Sequence, residues 1–192
     1  MSLPVRQEIV ISGLGGQGVL FITRILAQAA ILKGYPVFTS ETHGMAQRGG
    51  AVISHLKVGD FASPLIRPSH ADGLISLTPE TFAMHSNFLK EKAWAVVNGQ
   101  KKQSDKVLPE AEAKTCFFTQ ADVLAQKIEN ARSTNLVLLG YSLQCLSDRF
   151  FCDIDDAKQA VDIILSSRFK MQNTALKAIN AGYDASMKEN KT

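Results

Sequence analysis

The amino-acid sequence predicts an α/β fold: a Rossmann-like, doubly wound and mostly parallel sheet with an antiparallel excursion after the second strand. A glycine-rich loop joins an apolar strand to an apolar-periodic helix near the N-terminus. A β-rich middle follows, and helical periodicity dominates the last third. With 192 residues, of which 45% are hydrophobic and 20% charged, we expect one domain over residues 1–192, with a helical C-terminal part from about residue 135.

The first glycine loop lies between a predicted strand over residues 9–12 and a predicted helix over residues 19–33. Its sequence, GLGGQG over residues 13–18, fits the spacing G-x-G-x-x-G in the strand–loop–helix context that gives this pattern meaning. The unpaired N–H groups of the first helical turn point into such a loop and favour anionic groups. The loop is therefore predicted to seat a phosphate or pyrophosphate, with a tight turn and no ligand as the alternative.

Each residue of this loop has an expected role. Gly13 permits the turn out of the strand, Gly15 permits close approach of a ligand or another chain, and Gly18 permits tight packing of the helix on the sheet. Gly16 is an additional glycine within the pattern. Gln17 is unusual next to a pyrophosphate, and its amide suits a neighbouring chain or a ligand carbonyl equally well.

A second strand over residues 35–40 would complete a parallel βαβ unit with a right-handed crossover. The polar loop Glu41–Gly50 follows, and it leads into an alternating strand over residues 51–58 with one face partly exposed. Glu41 lies roughly 20 residues beyond the glycines, where a dinucleotide-binding protein often places an acidic residue on a ribose hydroxyl. A loop this polar between two apolar strands is typical of a functional site or an interface.

The remaining elements are predicted from apolar runs, helix caps and turn residues. In chain order they are an edge strand over residues 61–66, a buried strand over 74–77, a helix capped by Thr78 that runs to Lys90, a strand over 93–97, an edge strand over 116–118, a helix over 119–126, a long apolar helix over 135–151, a helix over 154–169, and a short helix over 173–181 that ends at Gly182, with a frayed tail from Asp184.

Arg48 is the strongest single candidate in the second loop. Two glycines follow it, and its guanidinium suits a carboxylate or a phosphate; the alternative is a salt bridge to Glu41. His43 titrates near neutrality, but without a Ser, Cys or second His at a useful spacing a hydrogen-bonded loop histidine is the expected state. The candidate binding residues of the second loop are Glu41, His43, Gly44, Arg48, Gly49 and Gly50.

Composition and spacing argue against several other functions. The three cysteines form no C-x-x-C, so we expect buried free thiols rather than an iron–sulfur cluster or structural zinc. The histidines show no metal-ligand spacing, and no catalytic residues are predicted. A net charge of +3 implies neither a nucleic-acid nor an anionic-membrane partner. Without a signal-peptide pattern or a transmembrane run, a cytoplasmic location is expected.

The two loops together carry a family resemblance over nearly the whole chain. The motif ISGLGGQGV over residues 11–19 and the motif ETHGMAQRGG over residues 41–50 resemble the γ domain of 2-oxoacid:ferredoxin oxidoreductases. Further matching positions are Ser63–Ile66, Ala71–Asp72 and Asn173–Ala175. The form of the second loop is most similar to that of the small β subunit of indolepyruvate:ferredoxin oxidoreductases.

The resemblance implies a subunit of a complex that oxidatively decarboxylates a 2-oxoacid, forms an acyl-CoA and reduces ferredoxin. It implies that thiamine diphosphate and the iron–sulfur clusters belong to larger partner chains, and that this chain binds no cofactor covalently but contacts coenzyme A. By the same resemblance, residues 13, 15–18 and 48–50 form the coenzyme A loops. Two alternatives remain open: a free-standing NAD(P)-binding oxidoreductase that uses Glu41, and an assembly module whose loops bind only protein.

Overall fold

A computed structural model describes residues 5–43, 49–100 and 115–189, and within them a six-stranded sheet packed between helices. The strands are β1 (Gln7–Leu14), β2 (Val37–His43), β3 (Ala51–Val58), β4 (Ala71–Ser76), β5 (Leu89–Asn98) and β6 (Thr115–Thr119). The helices are α1 (Val19–Leu32), α2 (Pro79–His85), α3 (Ala121–Lys127), α4 (Thr134–Cys145), α5 (Ile154–Ile164) and α6 (Phe169–Glu189), with 3₁₀ turns at Ser86–Phe88 and Ala131–Ser133.

The strand order is β2-β3-β1-β4-β5-β6. Strand β3 is antiparallel to both of its neighbours, whereas β1, β4, β5 and β6 pair in parallel. The predicted fold class, with its antiparallel excursion after the second strand, is confirmed. The expected βαβ unit is wrong in one respect, because β3 lies between β1 and β2 and keeps them from pairing.

Strand β3 is an interior strand, so the expectation that one of its faces is partly exposed is wrong. Residues Ser54 to Val58 are all buried. The ammonium group of Lys57 has partners there: its Nζ lies 2.8 Å from Glu8 Oε1 and 4.9 Å from the centre of the Phe61 ring. A buried charge of this kind is tolerated only with such partners.

The two faces of the sheet carry helical layers of unequal size. Helices α1, α3, α4, α5 and α6 contribute buried apolar residues to one large core on the first face. The second face is covered by α2 and by the segment around Ile66, which form a smaller core with β4 and β5. None of the helices in the described part of the chain has the length and apolar character needed to cross a bilayer.

Several strand boundaries differ from the prediction. The predicted edge strand over residues 61–66 is not a strand, since prolines follow Ser63 and Arg67 and interrupt pairing; Ile66 instead packs into the smaller core. The predicted helix from Thr78 to Lys90 ends at His85, and strand β5 begins at Leu89. The other predicted strands are present with ends shifted by a few residues.

Two further predicted helices are shorter in the structure and one is longer. Helix α4 ends at Cys145 rather than at residue 151, and α5 ends at Ile164 rather than at 169. The predicted short helix and frayed tail form one helix, α6, that continues to Glu189. Gly182 therefore does not stop a helix. None of the three cysteines forms a disulfide in the described part of the chain; Cys152 is buried, as expected, whereas Cys116 and Cys145 are half-buried.

Gly182 and Gly140 instead allow α4 and α6 to cross at close range. A Cβ on Gly140 would overlap the carbonyl of Ile179, and one on Gly182 would overlap the carbonyl of Val137. Every residue from Asn135 to Leu143 is buried, so α4 is enclosed by the rest of the domain. The small residues thus set the distance between the two helices.

We expect Gly140→Ala to lower the free energy of unfolding by about 2 kcal/mol, because the added methyl must separate two packed backbones. The higher helix propensity of alanine, worth about 1 kcal/mol, offsets only part of that cost. Urea denaturation of the purified chain measures the change. The exposed Asn180→Ala on α6 is the control and should stay within about 0.5 kcal/mol of wild type. Equal stability of Gly140→Ala and wild type would contradict the crossing.

Two histidines pack around Phe88 on the second face of the sheet. The His55 ring is 4% exposed and lies edge-on to Phe88, with 5.4 Å between ring centroids. His55 Nδ1 accepts a hydrogen bond from Ile66 N at 3.4 Å. His85 also packs on Phe88, with 6.5 Å between ring centroids, and its Nδ1 is buried. Burial lowers the pKa of both histidines below the ordinary value of 6.5.

This pair predicts a loss of stability in mild acid. Since the native pKa values are lowered, the unfolded chain binds more protons below about pH 6.5, and stability falls as the pH decreases through that value. We expect His85→Leu to flatten the slope of unfolding free energy between about pH 7 and pH 5 by up to one proton. His70→Gln, which removes an exposed ring, is the control and should keep the wild-type slope. An unchanged slope in His85→Leu would contradict this account.

Candidate functional site

The two predicted glycine loops meet at one edge of the sheet. Gly15 N donates a hydrogen bond to Gly50 O at 2.8 Å. This bond follows directly on the last pair of the β1–β3 ladder, Leu14 with Ala51. The second loop is therefore the connection of the β2–β3 hairpin, and its returning end is bonded to the backbone of the first loop.

The edge in question is the carboxyl end of the parallel strands. After β1 the chain continues through α1 to β2, which lies on one side of β1 within the sheet. Strand β4 lies on the opposite side of β1. Open α/β sheets bind ligands in the crevice where the strand order reverses in this way. The first glycine loop lies at that crevice.

Gln17 has a structural role within the first loop. Its Oε1 accepts a hydrogen bond from Leu14 N at 2.6 Å, and its backbone N donates to Leu14 O at 3.0 Å. These two bonds close the turn, so the side-chain oxygen is used inside the loop rather than by a ligand. A Cβ on Gly13 would lie 2.9 Å from this side chain, from Leu77 and from Val19, which accounts for glycine at that position.

Gly18 is the N-cap of α1 and has a φ of 86°, in the left-handed region. Its expected role was tight packing of α1 on the sheet, but its close neighbour is Asn135 of α4. Asn135 Nδ2 donates to Gly18 O at 3.3 Å, and a Cβ on Gly18 would overlap that amide. Sequence reasoning missed Asn135; the signal was an amide side chain directly before the apolar run Leu136–Leu139.

The N-terminus of α1 is suited to bind an anionic ligand. No side chain caps it, and its first turn holds no acidic residue. By contrast, Thr78 caps α2 by accepting from Thr81 N, and Asp153 with Asp156 forms a capping box at α5. Helices α3 and α4 also lack a side-chain cap, but α3 has Asp122 in its first turn. First-turn N–H groups without such a cap favour a bound anion.

The remaining predicted residues divide into three groups. The backbone of His43 is level with Gly13, because both pair with Val52 of β3. Glu41 pairs with Ser54, which pairs with Ile11. Glu41 therefore lies two strand spacings, or about 10 Å, from β1, and it is level with Ile11 rather than with the glycine loop. Gly49 and Gly50 lie immediately before β3, whereas Gly44 and Arg48 lie outside the described residues.

A cleft of about 710 Å³ opens beside the first loop. It is bounded by the glycine loop, by the ends of β4 and β5, and by the starts of α2, α3 and α4. The lining residues that the sequence did not point to are Leu77, Thr78, Pro79, Glu80, Asn98, Gly99, Asp122, Ala131, Arg132 and Thr134. They come from four separate segments, which only the fold brings together. Among the described residues, no three His, Cys, Asp or Glu side chains are grouped to hold a metal ion.

Residues 8–185 match the family model of pyruvate ferredoxin/flavodoxin oxidoreductase. A curated relative is the indolepyruvate oxidoreductase subunit IorB of Archaeoglobus fulgidus, 32% identical over 94% of this chain and 95% of its own length. The amino-acid likeness therefore covers both glycine loops and almost all of the helical C-terminal part.

Solved structures share the fold. The γ subunit of a keto/oxoacid ferredoxin oxidoreductase from Geobacter sulfurreducens has a TM-score of 0.74 and 24% identity, and the match covers 94% of this chain and 98% of that one. The 2-oxoglutarate:ferredoxin oxidoreductase of Magnetococcus marinus, solved with 2-oxoglutarate, coenzyme A and succinyl-CoA bound, has a TM-score of 0.76 and 19% identity. That match covers 95% of this chain but only 31% of the larger one.

We expect Gly18→Ala to destabilise the chain by about 2 kcal/mol or more, because it combines left-handed backbone strain with overlap on Asn135. Asn135→Ala removes the overlapping amide, so the double variant should lose less than the sum of the single losses. Urea denaturation of the four proteins forms the cycle. Strictly additive losses would show that Asn135 does not contact Gly18.

Proposed function

The chain belongs to the pyruvate ferredoxin/flavodoxin oxidoreductase family, and on that premise we propose that it is the small γ-type subunit of a cytoplasmic 2-oxoacid:ferredoxin oxidoreductase acting on indolepyruvate or a similar arylpyruvate. The complex would oxidatively decarboxylate the 2-oxoacid, transfer the acyl group to coenzyme A and pass the electrons to ferredoxin. The 32% identity to an indolepyruvate oxidoreductase subunit supports this substrate class.

Larger partner chains would hold thiamine diphosphate and the iron–sulfur clusters. Among the described residues, those that line the cleft include no nucleophile with an adjacent base. A subunit of this kind contributes binding and closure rather than the bond-breaking step. We therefore expect no turnover from the chain alone.

This chain's own contribution would be to bind coenzyme A at the cleft. The observation that carries the proposal is the hydrogen bond from Gly15 N to Gly50 O, since it joins the two loops beside the cleft. The uncapped, acid-free start of α1 offers backbone N–H groups for the pyrophosphate. Both features supply what a phosphate-bearing ligand needs.

The geometry disfavours the free-standing NAD(P) alternative. In a dinucleotide-binding sheet the acidic residue that holds the ribose follows a strand adjacent to the glycine-loop strand. Here β3 separates β2 from β1, and Glu41 lies within β2 rather than after its end. The assembly-module alternative differs from our proposal only in coenzyme A binding, so a coenzyme A experiment separates them.

Gly16 and Gly34 provide a matched pair for that experiment. Both have a positive φ, 93° and 75°, and a Cβ on either would meet no atom within 4 Å. Only Gly16 lines the cleft. Aspartate tolerates the left-handed region better than most residues, so both substitutions should fold. The carboxylate at position 16 should repel the phosphates of coenzyme A.

We expect Gly16→Asp to raise the KM for coenzyme A by roughly tenfold or more, whereas Gly34→Asp leaves it near wild type. The measurement is indolepyruvate-dependent viologen reduction by the complex co-purified from its native host with the tagged small chain. An unchanged KM in Gly16→Asp would favour the assembly module. A tagged chain that brings down no thiamine-binding partner, or that turns over alone, would contradict the proposed function.

A further inference from the structure

Arg132 lies where two cavities meet. It lines the polar cleft of about 710 Å³ that also contains Gly16 and Gln17. It also lines a second cavity of about 430 Å³, whose walls are mainly apolar, with Phe21, Leu136, Leu165 and Met171, and which contains one further cation, Lys170. A ligand with a charged part and a flat, weakly polar part could therefore occupy both cavities and pass Arg132 between them.

The backbone that carries Arg132 is held in place. It belongs to the 3₁₀ turn Ala131–Ser133, in which Ser133 N donates to Asn130 O at 2.9 Å and the Asn130 side chain donates to Ser133 Oγ. Asn130 N in turn donates to Ala125 O at 2.9 Å. The turn is thus bonded to α3 on one side and continues into α4 on the other. Only the side chain of Arg132 has to be ordered by a ligand.

The Arg132 side chain is exposed and has no ion-pair or hydrogen-bond partner in the part of the chain that the structure describes. This holds although Glu80 and Asp122 line the same cleft. Those two carboxylates occupy the first turns of α2 and α3 and repel an anion from that wall. An anionic group of a ligand would therefore bind at the wall formed by Arg132 and the glycine loop.

On the basis of the proposed coenzyme A site, we propose that Arg132 binds the 3′-phosphate of coenzyme A and so determines the preference for coenzyme A over its 3′-dephospho form. In coenzyme A the ribose with its 3′-phosphate lies between the adenine and the pyrophosphate. The apolar cavity takes the adenine, against Phe21 and with the amides of Asn130 and Asn135 near its polar edge. The pyrophosphate then reaches the glycine loop, and the pantetheine arm leaves toward the partner chains.

An arginine is suited to this role because its planar guanidinium binds phosphate oxygens in a bidentate fashion and stays charged. A hydrogen-bonded pair of this kind discriminates by about 10- to 100-fold between ligands that have and lack the phosphate. The discrimination is confined to one group of the ligand, so it can be measured by removing that group rather than by removing the whole ligand.

The experiment uses the co-purified complex and compares kcat/KM for coenzyme A and for 3′-dephospho-coenzyme A, with indolepyruvate as the 2-oxoacid. We expect wild type to prefer coenzyme A by about 10- to 100-fold. In Arg132→Ala that preference should fall to near unity, through loss of activity with coenzyme A and little change with the dephospho form. Arg132→Lys should restore part of the preference. Arg67→Ala, an exposed arginine near the opposite edge of the sheet, should behave as wild type.

Turnover of dephospho-coenzyme A by Arg132→Ala also reports that the variant is folded and assembled. Equal losses with both substrates, or an unchanged preference in Arg132→Ala, would overturn the assignment of Arg132. A wild-type complex that oxidises indolepyruvate without any dependence on coenzyme A would instead overturn the proposed function. The two failures are therefore distinguishable in the same set of measurements.

Discussion

The hydrogen bond from Gly15 to Gly50 is the interaction on which the site depends, because it ties together two loops that are far apart in the sequence. It is possible only because β3 turns back between β2 and β1, so that its first residues reach the level of the first loop. The same insertion moves β2 to the edge of the sheet. One topological feature thus assembles the paired loops and at the same time removes Glu41 from the position that a dinucleotide ribose would need.

Helix α4 also supports the first loop, at the loop's C-terminal end. Asn135 holds the carbonyl of Gly18, and α4 itself is held at close range to α6 by Gly140 and Gly182. The position of the glycine loop therefore depends on glycines more than 100 residues away. This connection explains why the C-terminal helices belong to the site although none of them carries a recognisable ligand-binding motif: they supply the rigid support that a preorganised loop requires.

The sequence correctly predicted features that depend on neighbouring residues. It did not predict features that depend on contacts between distant segments. The strand–loop–helix context of the first loop and the Thr78 cap are set by neighbouring residues, and both are present. A glycine after the last residue of a helical pattern predicts a helix stop at Gly182, but close packing against Val137 overrides that local preference. The burial of Lys57 required knowing that Glu8 and Phe61 lie beside it. The cleft residues Asn98, Asp122 and Arg132 come from separate loops, so periodicity alone gives no reason to group them.

The acidic residues at the starts of the helices make the cleft electrostatically asymmetric. Helices α2 and α3 have an acidic residue in the first turn, which offsets the positive ends of their dipoles, whereas α1 and α4 have none. An anion entering the cleft is thus repelled from one wall and attracted to the other, where the glycine loop and Arg132 lie. Because that wall lies next to the bonded end of the second loop, the charged part of a ligand would be held by this chain while its uncharged arm extends away from it. A chain that binds one end of a ligand and leaves the other end free is suited to present that ligand to a reaction centre on another subunit.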